Sequence, residues 1–309
     1  MSWLDRNMPF HANFMRFRSS WLFAPDGVLR AFGIDPAFDD PHARSEFNRR
    51  VRAGRLEFLR EKFVDRPELV DKMLPTAPPM SSRPVLIDDT DSIYDALLRP
   101  DVTLVTDPIR RITPTAIEVD GDGTYPVDAI VLATGFKAND FLWPMEVRGR
   151  GGRRVDELWE KDGARAYLGT MLPGFPNFFM LYGPNTNTTG GLGIVDVEEI
   201  VTRFILGCLA HLITDENRSV DVTLDAYRRY NDELDRAEAT KIYTDPRAQN
   251  YYKNEHGRSP GNLPFDIRKV WRWLRNPADA PADAQRQAVG ETATDCAVVP
   301  QFGHDLVVH

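Results

Sequence analysis

Cysteine is scarce. The 309 residues contain two, Cys208 and Cys296, so no disulfide framework can form and a reducing compartment fits. The six histidines show no metal-ligand spacing, which argues against a metal centre. No apolar run reaches the roughly 20 residues that a membrane helix needs. The start, Met1 to Arg6, lacks the apolar core of a signal peptide. The expected location is the cytoplasm. Positive charge is in deficit, and a net charge of -8 argues against nucleic acid as the main partner. Phosphate loops are missing too: there is no Gly-x-Gly-x-x-Gly and no Gly-x-x-x-x-Gly-Lys. Gly149-Arg150-Gly151-Gly152 follows no buried strand and opens no helix, so it reads as a turn. No spaced pair of carboxylates stands in a cleft-like context either.

What is present is a chain with 42% apolar and 27% charged residues, enough to form a substantial core. Ala129 to Ala133 is a short, continuous, branched apolar run. It predicts a strand buried on both faces, as in a parallel sheet covered by helices. Gly135 follows where that strand ends. Such a position is either a plain strand exit or a place where a ligand approaches the backbone. Asn177 to Tyr182 predicts a second short buried strand, ending in Gly183-Pro184-Asn185. The loop Thr186 to Gly193 then runs into a helix with a broad apolar face, Val197 to Leu212. Free N–H groups at such a helix start suit a ligand with negative charge; the alternative is a well-capped helix without one.

The first 75 residues or so read as helical. Phe10, Phe14, Phe17 and Trp21 define one apolar face, broken at Pro25-Asp26-Gly27. Phe47, Val51, Leu56, Leu59 and Phe63 define a second helix. Asp65-Arg66-Pro67-Glu68 predicts the N-cap and first turn of a third, ending at Leu74. The arginines from Arg44 to Arg60 are either a phosphate patch or a solvated face interleaved with acids. After a connector from Pro75 to Pro79, strands are expected at Val85 to Ile87 and Val102 to Val105, with a helix between them from Ser92 to Leu98. Ile109 to Val119 has strand-like alternation, and Asp120-Gly121-Asp122-Gly123 signals a hairpin. Helices are expected at Leu224 to Thr240 and Val270 to Leu274, and a loosely ordered tail from Asn276.

Several segments, in order, resemble the C-terminal part of Baeyer–Villiger-type flavin-containing monooxygenases, the 4-hydroxyacetophenone monooxygenase-like branch most of all. They are Ser82-Arg83-Pro84, Arg99-Pro100-Asp101-Val102, Asp128 to Phe136 with its Ala-Thr-Gly-Phe motif, Pro173 to Asn177, Gly183-Pro184-Asn185, Tyr252 to Arg258, and Asn262-Leu263-Pro264. Each alone is weak; in this order over most of the chain they are specific.

The resemblance implies an α/β chain: an incomplete fold of two dinucleotide-binding domains with a helical insert. Residues 1–78 would be the insert, 79–120 the end of the NADP domain, 121–275 the later part of the FAD domain, and 276–309 the tail. It implies FAD and NADPH as cofactors, and a small ketone and O2 as substrates. Arg83 falls on the family's catalytic arginine, which stabilises the anion formed when reduced flavin captures O2. Ser82, Thr134, Gly135, Phe136, Asn185, Thr186 and Asn187 fall on cofactor-lining positions. Ser82 departs from the family's usual lysine, which contacts the 2′-phosphate of NADPH. Because both phosphate loops are absent, the chain is expected to be inactive alone. It would be either a truncated form of a longer chain or one piece of a split enzyme completed by a partner carrying those loops; the alternative is a non-catalytic remnant or subunit that associates with such a partner.

Overall fold

The computed structural model describes residues 7–8, 10–18, 31–83, 92–188, 193–214, 219–248, 250–275 and 306–308. Eight α-helices occur among them. The first, α1 (His11–Phe17), carries Phe10 and Phe14 exposed to solvent rather than against a core. Trp21, the break at Pro25 and the expected strand at Val85 to Ile87 lie outside the described residues.

Helix α2 (Glu46–Lys62) starts where Ser45 Oγ accepts from the Asn48 N–H at 3.1 Å. Glu46 sits in its first turn, Arg60 and Lys62 in its last, as the helix dipole favours. Arg49 and then Arg50 pull the Glu46 carboxyl down to about 2. The apolar stripe of α2 buries Leu59, with Phe63 just beyond, against α3 (Glu68–Met73) and α4 (Ile93–Leu97). Tyr94 is the centre of that cluster and meets Phe58 edge-on at 5.3 Å. The N-cap position of α3 is Pro67, not Asp65, because proline fixes the φ that enters the helix. Most of the arginines are structural: Arg49 and Arg50 pair with Glu46, Arg52 donates to the Pro75 carbonyl at 2.6 Å, and Arg55 lies over the Tyr94 ring.

The larger core belongs to α5 (Val155–Trp159), α6 (Ile194–Thr214), α7 (Leu224–Glu238) and α8 (Ile267–Arg275). Val197, Val201, Phe204 and Cys208 are the buried stripe of α6. Burial pushes the Cys208 thiol up to about 12, which makes it inert. Helix α7 is capped by Thr223, whose Oγ1 accepts from the Ala226 N–H, and it buries Tyr230 among the rings of Tyr167, Phe265 and Trp273.

The strands are short. Strands β1 (Ile109–Ile112), β2 (Ala116–Val119) and β3 (Thr124–Pro126) form an antiparallel meander. Gly121 and Asp122 both have positive φ between β2 and β3, the geometry that a tight two-residue hairpin turn requires and that glycine and aspartate tolerate. Strand β4 (Asn187–Thr188) pairs in parallel with β6 (Asn262–Leu263), and β5 (Val220–Val222) pairs with β7 (Leu306–Val308). Thus three residues of the expected loose tail form a strand.

Three expected strands are not formed. Val102 to Val105 is irregular, with the Val102 N–H in a turn to the Arg99 carbonyl. In Asn177 to Tyr182 the backbone donors go to separate segments: Asn177 to Val220, Phe178 to Phe175, Met180 to Thr170. Met180 is buried all the same, so the segment packs into the core without a ladder. Ala129 to Ala133 is also irregular and, against expectation, exposed. A strand needs lateral partners, and none of the described residues supplies them here.

Candidate functional site

The Asn185 loop is a frame of buried amides. Asn185 stands in the left-handed region (φ 59°), which asparagine tolerates, and is 2% exposed. Its Nδ2 donates to the carbonyls of Ser259 at 2.9 Å and Asn262 at 2.8 Å. Thr186 Oγ1 donates to the Gly183 carbonyl, and Asn187 Nδ2 to Asn262 Oδ1 at 2.8 Å. Tyr182 donates its hydroxyl to Asn187 Oδ1. A Cβ on Gly169 would stand 2.3 Å from Thr186 Cγ2, so backbone presses closely on this loop. Of the three side chains expected to face a ligand, Asn185 and Asn187 are therefore committed to the 259–262 segment and Thr186 to the Gly183 carbonyl. Asn185→Ala is expected to cost about 2–4 kcal/mol, read by urea denaturation, because two buried carbonyls lose their donor.

Arg83 and Ser82 are exposed at the end of the proline-rich connector. They border a cavity of about 220 Å³ also lined by Arg52, Arg55, Leu74 and Met80. Arg83 Nη1 donates to the Tyr251 hydroxyl at 3.1 Å. Hydrogen bonds to Tyr252 and Tyr251 reinforce its charged form. Those two rings lie against each other with centroids 4.4 Å apart and planes tilted by 36°.

Thr134, Gly135 and Phe136 are exposed, Phe136 at 96%. Gly135 has φ +85°, with no atom within 4 Å of where a Cβ would stand. Just beyond, Asn139 Nδ2 donates to the carbonyls of Tyr251 and Lys253. The segment 250–262 is thus a hub. Asn250 holds the Ser81 carbonyl, Tyr251 holds Arg83, Tyr251 and Lys253 hold Asn139, and Ser259 and Asn262 hold the Asn185 loop. Its residues carried part of the resemblance but were not expected as site residues. Their density of asparagine and tyrosine was the available signal.

The N-terminus of α6 is partly satisfied from within: the Gly193 N–H donates to Asp196 Oδ2 at 2.8 Å. Ile194 and Val195 are exposed there. Behind the hub, Glu238 is buried and accepts from the Ser259 N–H. Burial raises its carboxyl to about 7, against the pull of the Ser259 N–H and Arg258. Its second oxygen and Arg258 Nη2, 3.9 Å apart, have no hydrogen-bond partner.

No family model matches the chain. Over 276 residues, 89% of its length, it is 32% identical to an uncharacterized monooxygenase of Sinorhizobium fredii, covering 41% of that protein. It is 36% identical over 259 residues to an FAD-binding monooxygenase of Aspergillus niger, covering 82% of the chain and 39% of the relative. A Baeyer–Villiger monooxygenase of Pseudomonas aeruginosa is 40% identical over 144 residues, 46% of the chain and 27% of the relative. Among solved structures, oxidized steroid monooxygenase bound to NADP superposes with a TM-score of 0.66 at 28% identity, over 79% of this chain and 46% of that one. The chain spans less than half the length of the curated relatives it matches. In sequence and in its α/β fold it belongs with the FAD-binding and Baeyer–Villiger flavin monooxygenases.

Proposed function

We propose that the chain is the C-terminal part of an FAD- and NADPH-dependent monooxygenase that inserts one oxygen of O2 beside a ketone carbonyl. It is inactive alone and works with a polypeptide segment that carries the two phosphate loops. The observation that carries this reading is the 250–262 hub, which ties Arg83, the segment after Phe136 and the Asn185 loop to one stretch of backbone. The domain division at residues 78, 120 and 275 belongs to the same proposal.

The residues present fit one side of a flavin site. Gly135 leaves its backbone open, and Ile194 and Val195 offer apolar surface beside the start of α6. The Asn185, Thr186 and Asn187 side chains shape the site rather than donate to a ligand, since their donor groups are already paired. When bound, the flavin, reduced by NADPH, supplies the electrons that activate O2. Arg83 provides a permanent cation whose fork is held by Tyr251, so it can stabilise a developing anion without changing protonation. Ser82 offers a hydroxyl where a second cation would favour a 2′-phosphate. Discrimination for NADPH over NADH is therefore expected to be weaker than lysine at that position would give.

A chain that only associates and does no chemistry is the second reading, favoured by the exposed apolar segment around Leu132. The two are separated by NADPH oxidation coupled to ketone oxygenation. The chain alone is expected to show none, and the chain with a loop-bearing complement to show both. Ketone oxygenation by the chain alone contradicts the claim of incompleteness. A complemented, flavin-loaded assembly that oxygenates no ketone favours the second reading.

A further inference from the structure

The cavity beside the proline-rich connector is lined by three guanidinium groups and, among the described residues, by no carboxylate. It runs between α2 and residues 74–83, with Arg52 and Arg55 on the helix side and Arg83 at the end of the connector. Other basic side chains of α2 meet acids: Arg49 and Arg50 pair with Glu46, and Lys62 with Asp95. Arg52 commits one N–H, to the Pro75 carbonyl at 2.6 Å. Arg55 has neither a carboxylate nor a carbonyl partner among the described residues. What it has is two rings: its Cζ lies 4.8 Å from the centroid of Tyr94 and 5.7 Å from that of Phe58. A ring holds a guanidinium by its face, whereas the N–H donors lie in the plane and point from its edge. The fork of Arg55 is therefore fixed in place with its donors unspent. Burial works against its charge and no carboxylate offsets that cost. An anion beside the fork would remove the cost.

The rest of the wall decides which anion. Val51, Leu74 and Met80 line the same space, so the occupant has an apolar body. Inorganic phosphate would match the charge and leave that wall bare. A neutral ketone would cover the wall and leave Arg55 unpaired. The volume is about 220 Å³. An apolar cavity of about 150 Å³ accepts benzene, so this one holds a single ring with one or two small substituents.

We propose that the cavity selects a ring-sized ketone that carries a carboxylate, with the acid held by Arg55 and Arg52 and the carbonyl end left to Arg83. The inference rests on the reading of the chain as part of a ketone monooxygenase, and it names the class of ketone: keto acids in preference to neutral ketones. Arg55 and Arg52 act here as specificity-determining residues, and Arg83 keeps the role already given to it.

The test is calorimetric titration of the full chain with 4-acetylbenzoate, with acetophenone and with inorganic phosphate. The keto acid is expected to bind about 30-fold more tightly than the neutral ketone, the gain of charge-assisted hydrogen bonds to a fixed guanidinium. That advantage should shrink as salt is raised. Arg55→Met keeps an unbranched apolar stem on the rings and is expected to abolish the advantage, while Arg55→Lys restores part of it. Circular dichroism checks that each variant is folded; should Arg55→Met not fold, Arg52→Gln is expected to reduce the same advantage by a smaller factor. Equal binding of the two ketones overturns the inference, as does an advantage that survives in folded Arg55→Met. Displacement of 4-acetylbenzoate by an equal concentration of phosphate makes this a general anion site and overturns it too. In the flavin-loaded enzyme the preference should appear as a lower KM for the keto acid at similar kcat. Oxygenation of both ketones with no such preference overturns the inference and leaves the functional reading in place. Selective binding of the acid by an enzyme that oxygenates neither ketone supports the acid site and overturns that reading.

Discussion

Arg83→Ala is expected to lower ketone oxygenation by the assembled enzyme by about 100- to 1000-fold while the flavin stays bound. The side chain is exposed, borders a cavity and is steered by the Tyr251 hydroxyl. It contributes little to the core, so its removal should leave the fold intact. A permanently charged planar donor stabilises an anion best when its direction is fixed beforehand, and the paired Tyr251 and Tyr252 rings provide that fixing. Arg83→Lys keeps a charge but loses the fork, and should restore only part of the rate. Turnover measured beside flavin absorbance decides the matter. Loss of flavin together with activity would count against the assigned role, because it would make Arg83 a structural or cofactor-holding residue. Tyr251→Phe should lower the rate by a smaller factor, through misdirection of the guanidinium.

Glu238→Gln is expected to change how stability depends on pH. The folded carboxyl titrates at about 7 rather than near its ordinary 4.5, so the folded chain keeps a proton that the unfolded chain has released. The wild type is therefore most favoured, as far as this group goes, below about pH 4.5, and that advantage drains away as pH rises to 7. The displacement corresponds to about 3 kcal/mol. Glutamine cannot ionise and still offers an oxygen to the Ser259 N–H. The stability of the variant relative to wild type should accordingly rise by about 3 kcal/mol between pH 4.5 and 7.5. Glu46 and Asp95, each held at about 2 by basic neighbours, have the opposite pH trend, but they are common to both proteins and cancel in the difference. Urea denaturation across that range is the measurement. A difference that does not change with pH would show that Arg258 and Arg165 offset the burial and the Asp235 charge and leave Glu238 titrating at its ordinary value. Because Glu238 anchors Ser259, and Ser259 anchors Asn185, the same titration bears on the rigidity of the candidate site.

Helices were the most legible part of the chain, for a local reason. A stripe such as Leu59 and Phe63, or Tyr227, Tyr230 and Leu234, carries its own period and its own backbone bonding. The hairpin at Gly121-Asp122 was legible because its signal is a φ preference confined to two residues. Strands were legible only where the partner lies a few residues away, as in the Ile109 to Val119 alternation that forms β1 and β2. Composition says that a segment such as Ala129 to Ala133 suits burial, but only a neighbouring strand can make it a strand, and that neighbour is not encoded locally. Met180 shows the converse case: it found a core without finding a ladder. At the candidate site, the order of motifs placed Arg83, Gly135 and Asn185 in one family pattern. It did not reveal that Asn185 and Asn187 spend their amide donors on the hub, and Thr186 its hydroxyl on the Gly183 carbonyl. Nor did it pick out the hub, because a run such as Asn250 to Asn254 reads as an ordinary polar loop until its partners, more than a hundred residues away, are known.

The central claim is that this chain forms one side of a flavin site completed by a polypeptide carrying the phosphate loops. Titration of FAD, followed by flavin absorbance and fluorescence, tests it most directly when done on the chain alone, on the loop-bearing complement alone, and on the two together. The account predicts no binding by the chain alone, and a saturable yellow complex when both are present that is tighter than the complement achieves by itself. A chain that binds FAD alone, or a complement whose affinity for FAD is unchanged by the chain, would contradict it.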